Sequence, residues 1–374
     1  MRCNLFILCA CLIILLSSSA QAQVPSSPQQ SLPILDRSIF DKPYMIYGSE
    51  IGGWNMDGGN AISNPVCRQK VMDAKVRVIR WANWAKFDYM KQKGSEPKQT
   101  LAQFNMVVDG IRSMGAYPLI KLPPVWNKQC DSAIDSWNLD WLKEIIKAAG
   151  NRVQLYEFAN EPNNYCHWDA ATYADNWKKT VPALKEYARS LGFEIYVGGP
   201  AWTNSNQSDI ARLKVFLDSI KQDFVLHVNR DELPDFVSTH TYMTEHENSS
   251  PENMQKAIHN WGKFYDDLRE TIDQEFQGIN DASGNPLGPQ IKIADTEYNF
   301  TIVHDNPKQN DPPFIHAYMK GMMNMFREHN IWLANQFTIQ SHHGEALDML
   351  TDDCTDKLLY SSFKFHSTRD PLNQ

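Results

Sequence analysis

Val153-Gln154-Leu155-Tyr156-Glu157-Phe158-Ala159-Asn160-Glu161-Pro162-Asn163 starts as a strand and stops as something else. Branched and aromatic residues fill its first half, as a pleated and buried surface requires. Pro162 cannot donate to a sheet ladder, so the strand gives way to a loop beside Glu161. Side chains alternate along a strand, which predicts a common facing for Glu157, Ala159 and Glu161 and leaves Glu161 at the C-terminal tip. An acid in that place carries chemistry only if the strand borders an open mouth, so the rest of the chain must be read for its partners.

Seven further apolar or β-branched runs recur: Tyr44–Ile51, Val76–Trp81, Pro118–Leu122, Glu194–Gly198, Asp235–Thr241, Ile291–Thr296 and Trp332–Ile339. With Val153–Ala159 they make eight strand candidates. Helical patterns lie between them, among them Leu101–Met114, Leu139–Ala149 and Ala183–Leu191, each followed by a glycine (Gly115, Gly150, Gly192) where a C-cap belongs. Alternating strands and helices imply parallel pairing through crossovers, and eight units match a closed barrel. The expected fold is therefore α/β, a single (β/α)8 TIM barrel over residues 34–374. A doubly wound open sheet is the rival, and no Gly-rich phosphate loop follows the first strand to favour it.

The N-terminus reads as an export signal over residues 1–22: Arg2, an apolar run from Leu5 to Leu16, then the small-x-small site Ala20-Gln21-Ala22. A lipid-attachment box at Leu8-Cys9-Ala10-Cys11 is the alternative. Residues 23–33, rich in Gln, Ser and Pro, are expected to be a disordered leader. No later run approaches the ~18 to 20 apolar residues of a membrane helix. A secreted protein with no membrane contact after signal removal is thus expected, and a monomer is the simplest state. The formal net charge is −8 with no basic cluster, which argues against nucleic acid as a partner. No Cys-x-x-Cys or His-Glu-x-x-His spacing occurs, so neither a metal nor a cofactor is expected.

A second acid closes the seventh candidate strand, Ile291-Lys292-Ile293-Ala294-Asp295-Thr296-Glu297-Tyr298-Asn299. Carboxylates at the rims of strands four and seven would face one another across a barrel mouth. Glycoside hydrolysis needs such a pair: one carboxyl protonates the departing oxygen while the other, ionised, attacks the anomeric carbon. Retaining enzymes hold the two about 5 to 5.5 Å apart, close enough for direct attack. Asp295, read as sharing the facing of Glu297, and Glu50, at the end of strand one, compete for the nucleophile's role.

The run Glu157 to Asn163, together with Thr296-Glu297-Tyr298-Asn299, resembles the clan A glycoside hydrolases, most nearly the branch containing β-xylosidases, α-L-iduronidases and bacterial exopolysaccharide endoglycosidases. The resemblance spans the mature chain as spaced strand ends, and only the Asn-Glu-Pro motif is specific by itself. It implies Glu161 as acid/base, Glu297 as nucleophile and Asn160 as partner to the substrate's 2-hydroxyl. Arg80 and Tyr242 match the groups that touch the nucleophile, and His240 would shape the same wall. Tyr298 and the rim residues Trp54, Trp84 and Trp126 would bind sugar. The clan's tryptophan at the end of strand eight is missing: Trp332 starts that strand, and Gln336, Phe337, Gln340 and His342 stand at its rim.

Plainer readings accompany these. Arg80 would serve equally as a structural salt bridge, Glu157 reads as a buried structural acid, and Trp81, Trp168 and Trp202, also near strand ends, suit either a sugar platform or the core. Four cysteines remain after signal removal and allow three pairings or free thiols. Barrel neighbours favour Cys130 with Cys166 and Cys67 with Cys354. The function that emerges is a retaining endo-β-glycanase acting on a polysaccharide. An exo-acting β-glycosidase, a transglycosylase and a catalytically silent carbohydrate-binding barrel remain as alternatives.

Overall fold

The computed structural model describes residues 32–41, 45–51, 58–82, 86–87, 98–122, 136–203, 205–243, 250–303, 305–341 and 346–373. The signal segment, residues 23–31 of the leader, Trp54, Trp84, Trp126, Cys130 and His342 lie outside them. Eight parallel strands close into a barrel: β1 (Met45–Ile51), β2 (Val78–Ala82), β3 (Tyr117–Leu122), β4 (Leu155–Phe158), β5 (Tyr196–Trp202), β6 (Phe236–Tyr242), β7 (Lys292–Asn299) and β8 (Leu333–Gln340), with β1 pairing to both β2 and β8. Helices follow the strands in turn: α1 (Pro65–Asp73), α2 (Leu101–Ser113), α3 (Ser136–Ala149), α4 (Ala170–Ser190), α5 (Gln207–His227), α6 (Pro251–Glu275), α7 (Pro312–Glu328) and α8 (Leu358–Arg369). The alternation expected from sequence is thus a single (β/α)8 barrel. Among the described residues no helix is long and apolar enough to cross a membrane.

Local signals account for the helix ends. Thr100 and Gln103 form a reciprocal capping box ahead of α2, and Asp169 caps α4 through the Thr172 amide. The three glycine stops adopt left-handed backbone, with φ of 79° at Gly115, 55° at Gly150 and 89° at Gly192. α4 differs from its sequence reading, which begins at Ala183. The helix starts at Ala170 and runs through Pro182, its apolar face held by buried Tyr173, Trp177 and Val181.

Below the site the barrel is apolar. Val78, Leu119, Leu155, Phe236, Ala294 and Leu333 belong to one buried cluster with Ile39 and Phe40 of the short turn Arg37–Asp41. Trp332 joins it: its ring stacks on Phe40 at 4.7 Å and its indole nitrogen donates to the Ile39 carbonyl at 3.1 Å. Leu32, inside the stretch expected to be disordered, packs partly against this layer, and its carbonyl accepts from Arg112 at 2.7 Å. Truncating a buried tryptophan of this kind costs about 3–5 kcal/mol.

Strand register sets the site. Glu50 pairs with Arg80, Lys121 with Glu157 and His240 with Glu297, so charged residues from neighbouring strands lie side by side. Between β6 and β7 the register slips: Thr239 faces Asp295 but the next residue, His240, faces Glu297. Thr296 is thus an extra residue on β7, a bulge that resets the alternation of facing.

Candidate active site

β4 ends at Phe158, short of Glu161. Ala159 and Glu161 both adopt left-handed backbone, with φ of 73° and 45°, so the simple alternation from Glu157 to Glu161 does not hold. Non-glycine residues bear about 1–2 kcal/mol of strain in that region. The turn is secured by the Glu161 amide donating to the Ala201 carbonyl at 3.0 Å, and by the Asn164 and Tyr165 amides donating back to the Glu161 carbonyl. The outcome is an acid aimed over the barrel mouth. Its Oε2 accepts from Asn164 Nδ2 at 3.1 Å, and its Oε1 lies 2.9 Å from Nδ1 of His240.

Glu297 arrives from β7. Carboxylate oxygens of Glu161 and Glu297 and a ring nitrogen of His240 all lie within 4.8 Å of one another. The Tyr242 hydroxyl donates to Oε2 of Glu297 at 2.8 Å, and His240 Nδ1 is 3.6 Å from the same oxygen. Arg80, fully buried, joins the strands together. Its Nη1 donates to both Glu297 Oε1 and Glu50 Oε2, its Nε donates to Glu157 Oε2 at 2.8 Å, and its Nη2 donates to Glu157 and, at 2.7 Å, to Asn160 Oδ1. One guanidinium therefore serves β1, β4 and β7 at once. Removing a single partner from such a buried ion cluster costs about 3–5 kcal/mol, because a charge is left uncompensated.

These contacts set the ionisation of the site. Burial alone would push Glu297 up, but His240, Arg80, Lys121 and the Tyr242 hydroxyl outweigh it and hold the carboxyl down at about 2. Burial would likewise lower His240, yet the charge of Glu297 and the bond to Glu161 overcome it and raise the imidazole above its ordinary value. Glu297 is thus held toward its anion and His240 is drawn toward its cation. Glu161, His240 and Glu297 also offer ligand atoms close enough for a divalent cation. The guanidinium already on Glu297 opposes a second cation there.

The other sequence candidates divide. Tyr298 is not in the site: it is fully buried on the outer face of β7, its ring 5.0 Å from Phe326 of α7, because it alternates with inward-facing Glu297. Asp295 does not share the facing of Glu297 either. The bulge at Thr296 turns it outward, where the Tyr265 hydroxyl of α6 donates to its Oδ2 at 2.8 Å. Trp81, Trp168 and Trp202 are core residues, each less than 5% exposed. Glu50, Lys121 and Glu157 sit in the cluster without having been assigned to the site, and the signal for the first two was their place at strand ends beside Arg80.

Two aromatic rings mark the rim. Tyr165 is 55% exposed and within electrostatic reach of Glu161 and Glu297. Phe337, partly exposed in the second half of β8, lies edge-on to Tyr242 with ring centres 6.2 Å apart. Cys67 and Cys354 form a disulfide with Cα atoms 5.1 Å apart, as the barrel neighbours suggest. Cys166 is disulfide-bonded as well, and Cys130, its expected partner, lies outside the described residues.

No family model and no curated protein sequence matches this chain. Solved structures do. A glucosidase from Croceicoccus marinus aligns with a TM-score of 0.60 at 15% identity, over 86% of this chain and 66% of its own. A monomeric β-xylosidase from Caulobacter crescentus aligns at 0.55 and 14%, over 86% of this chain and 68% of its own. A Paenibacillus polymyxa xyloglucanase from glycoside hydrolase family 44 aligns at 0.51 and 12%, over 86% and 76%. This chain therefore spans about two thirds to three quarters of those chains. At such identities the likeness establishes the fold, and the structural neighbours are glycoside hydrolases built on the same barrel that the resemblance to clan A implies.

Proposed function

We propose that this chain is a secreted, monomeric, retaining glycoside hydrolase, acting as an endo-β-glycanase on a polysaccharide. The observation that carries the reading is the approach of Glu161 and Glu297, whose carboxylate oxygens lie within 4.8 Å at the C-terminal ends of β4 and β7. That spacing leaves no room for a water between nucleophile and sugar and suits direct attack.

In the first step the Glu161 proton goes to the glycosidic oxygen, the bond from that oxygen to the anomeric carbon breaks, and Glu297 bonds to the carbon. In the second, Glu161 takes a proton from water, the water oxygen bonds to the anomeric carbon, and Glu297 leaves as a carboxylate. Asn160 is fixed by Arg80 through its carbonyl oxygen, so its amide N–H can meet the 2-hydroxyl of the sugar, a contact that strengthens as the ring gains positive charge. The endo-acting part of the proposal rests on two rings near the acids, Tyr165, which is exposed, and Phe337, which is partly so.

The test is a panel of polysaccharides and aryl β-glycosides assayed with wild type, Glu161→Gln and Glu297→Gln. Cleavage by the wild type, a loss of about 100-fold or more in each variant, and initial products with the starting anomeric configuration are expected. Products of inverted configuration, or variants as active as wild type, would end the proposal.

A further inference from the structure

Glu50 takes no part in the two steps above, yet it shares a nitrogen with the nucleophile. Arg80 Nη1 donates to Oε2 of Glu50 and to Oε1 of Glu297, so the two carboxyl groups stand no farther apart than two hydrogen-bond lengths. Glu50 is 1% exposed. The charged groups around it are Arg80 on β2, Lys121 on β3, Glu157 on β4 and Glu297 on β7, with Lys121 Nζ at 4.0 Å from its Oε1. From β8 the Thr338 hydroxyl donates to the Glu50 carbonyl, and neighbouring Gln336 is uncharged. His240 meets the other oxygen of Glu297, Oε2, at 3.6 Å and bonds in turn to Glu161.

Among the described residues three buried carboxyls thus share Arg80 and Lys121, with His240 reaching only Glu297, and a carboxylate with too few partners is costly away from water. Their partners are unequal. Glu157 takes Nε and Nη2 of Arg80 together. Glu297 takes Nη1 and the Tyr242 hydroxyl, with His240 close by. Glu50 has one N–H of Arg80 and the more distant Lys121.

We infer that Glu50 is a positioning residue that keeps its proton while Glu297 is ionised, and that losing this proton makes Glu297 a poorer leaving group in the second step. Burial supports the assignment by pushing Glu50 up to about 7, with the charge of Glu297 adding to the rise against the pull of Arg80. Like charges this close titrate well apart. When the bond between the sugar and Glu297 breaks, its electron pair stays on Glu297. A neutral Glu50 leaves the charge of Arg80 to receive it, whereas an ionised Glu50 competes for that charge at the shared nitrogen and repels the incoming pair. The leaving-group half of the inference rests on the retaining mechanism proposed above, and the protonation half does not.

Infrared titration tests the protonation without any substrate. Wild type should show the carbonyl band of a protonated carboxyl that fades through neutrality, and Glu50→Gln should lack it. Burial also favours the protonated form of Asp295, and the proposed first step places a proton on Glu161, so Asp295→Asn and Glu161→Gln are measured alongside to separate the bands. A wild-type minus Glu50→Gln spectrum without the band overturns the inference. For the kinetics, a dinitrophenyl glycoside that the wild type cleaves is used, since its leaving group needs no acid. Wild-type kcat should fall about ten-fold between about pH 6 and about pH 8, with a burst of dinitrophenol, and Glu50→Gln should stay level. Glu50→Asp, which keeps an acid in place, should restore both the band and the fall. Parallel profiles for wild type and Glu50→Gln overturn the leaving-group role. If neither protein cleaves any glycoside, the hydrolase reading fails and that role falls with it, while the infrared result still decides where the proton is.

Discussion

The Tyr242 hydroxyl donates to one oxygen of Glu297 at 2.8 Å while Arg80 holds the other oxygen from across the barrel. Burial and the charge of Glu297 keep the phenol well above its ordinary pKa, so it remains a donor throughout the working range. A hydrogen bond to a charged group contributes about 1.5–3 kcal/mol. Tyr242→Phe should therefore lower kcat/KM by about 10- to 100-fold with the fold intact, measured on whichever glycoside the wild type cleaves. An unchanged kcat/KM would show that Arg80 alone orients the nucleophile.

Asp295 makes stability fall with rising pH. Burial holds its carboxyl up at about 7 despite bonds from Thr241 and Tyr265. In the unfolded chain the same group ionises near its ordinary value of 3.8. The contribution is fully present below that value and is lost as pH climbs through the folded pKa, a span worth roughly 4 kcal/mol. Urea midpoints should thus be lower at about pH 8 than at about pH 5. Asp295→Asn, which still accepts from Tyr265 but does not titrate, should flatten part of that slope, while Glu50 and His240, whose pKa values are also raised, contribute in the same direction. A slope identical to wild type would refute the assignment.

The Cys67–Cys354 disulfide joins residues 287 apart in sequence, tying α1 to the segment ahead of α8. Cross-links over long loops stabilise mainly by restricting the unfolded chain, by about 2–5 kcal/mol. The double variant Cys67→Ser, Cys354→Ser should lower Tm by several degrees while leaving kcat near wild type at low temperature. A non-reducing peptide map of the wild type should also join Cys166 to Cys130, and any other partner would contradict the barrel-neighbour pairing.

Tyr165 follows the Asn-Glu-Pro motif by three residues and is more than half exposed near both acids. A sugar ring stacked on it places the contact outside the reacting unit. Tyr165→Ala should raise KM about five- to ten-fold on long substrates with kcat little changed, the mark of binding that is equal in ground and transition states. Equal KM values for short and long substrates would remove Tyr165 from the binding surface.

The strands were readable because each is a short apolar run, and the three helix stops because glycine takes left-handed backbone without strain. Glu161 and Glu297 were readable because they sit beside a proline and at a strand tip. Tyr298 was misplaced although strand alternation already turns it away from Glu297. Asp295 could not have been oriented correctly, since the bulge at Thr296 shows itself only when β7 is set against β6. Lys121, and the role of Glu50 beyond that of a rival nucleophile, were hidden for a related reason. Their meaning depends on one guanidinium shared by side chains from several strands, and a linear chain shows no distance between them.

The layer formed by Phe40, Trp332 and their neighbours closes the N-terminal end of the barrel. Among the described residues this layer leaves no solvent path through that end, so under the proposed retaining mechanism the departing alcohol and the incoming water would share the opening at the rim. An acceptor sugar held there would compete with water for the glycosyl-enzyme, and the balance between hydrolysis and sugar transfer would follow occupancy of the mouth.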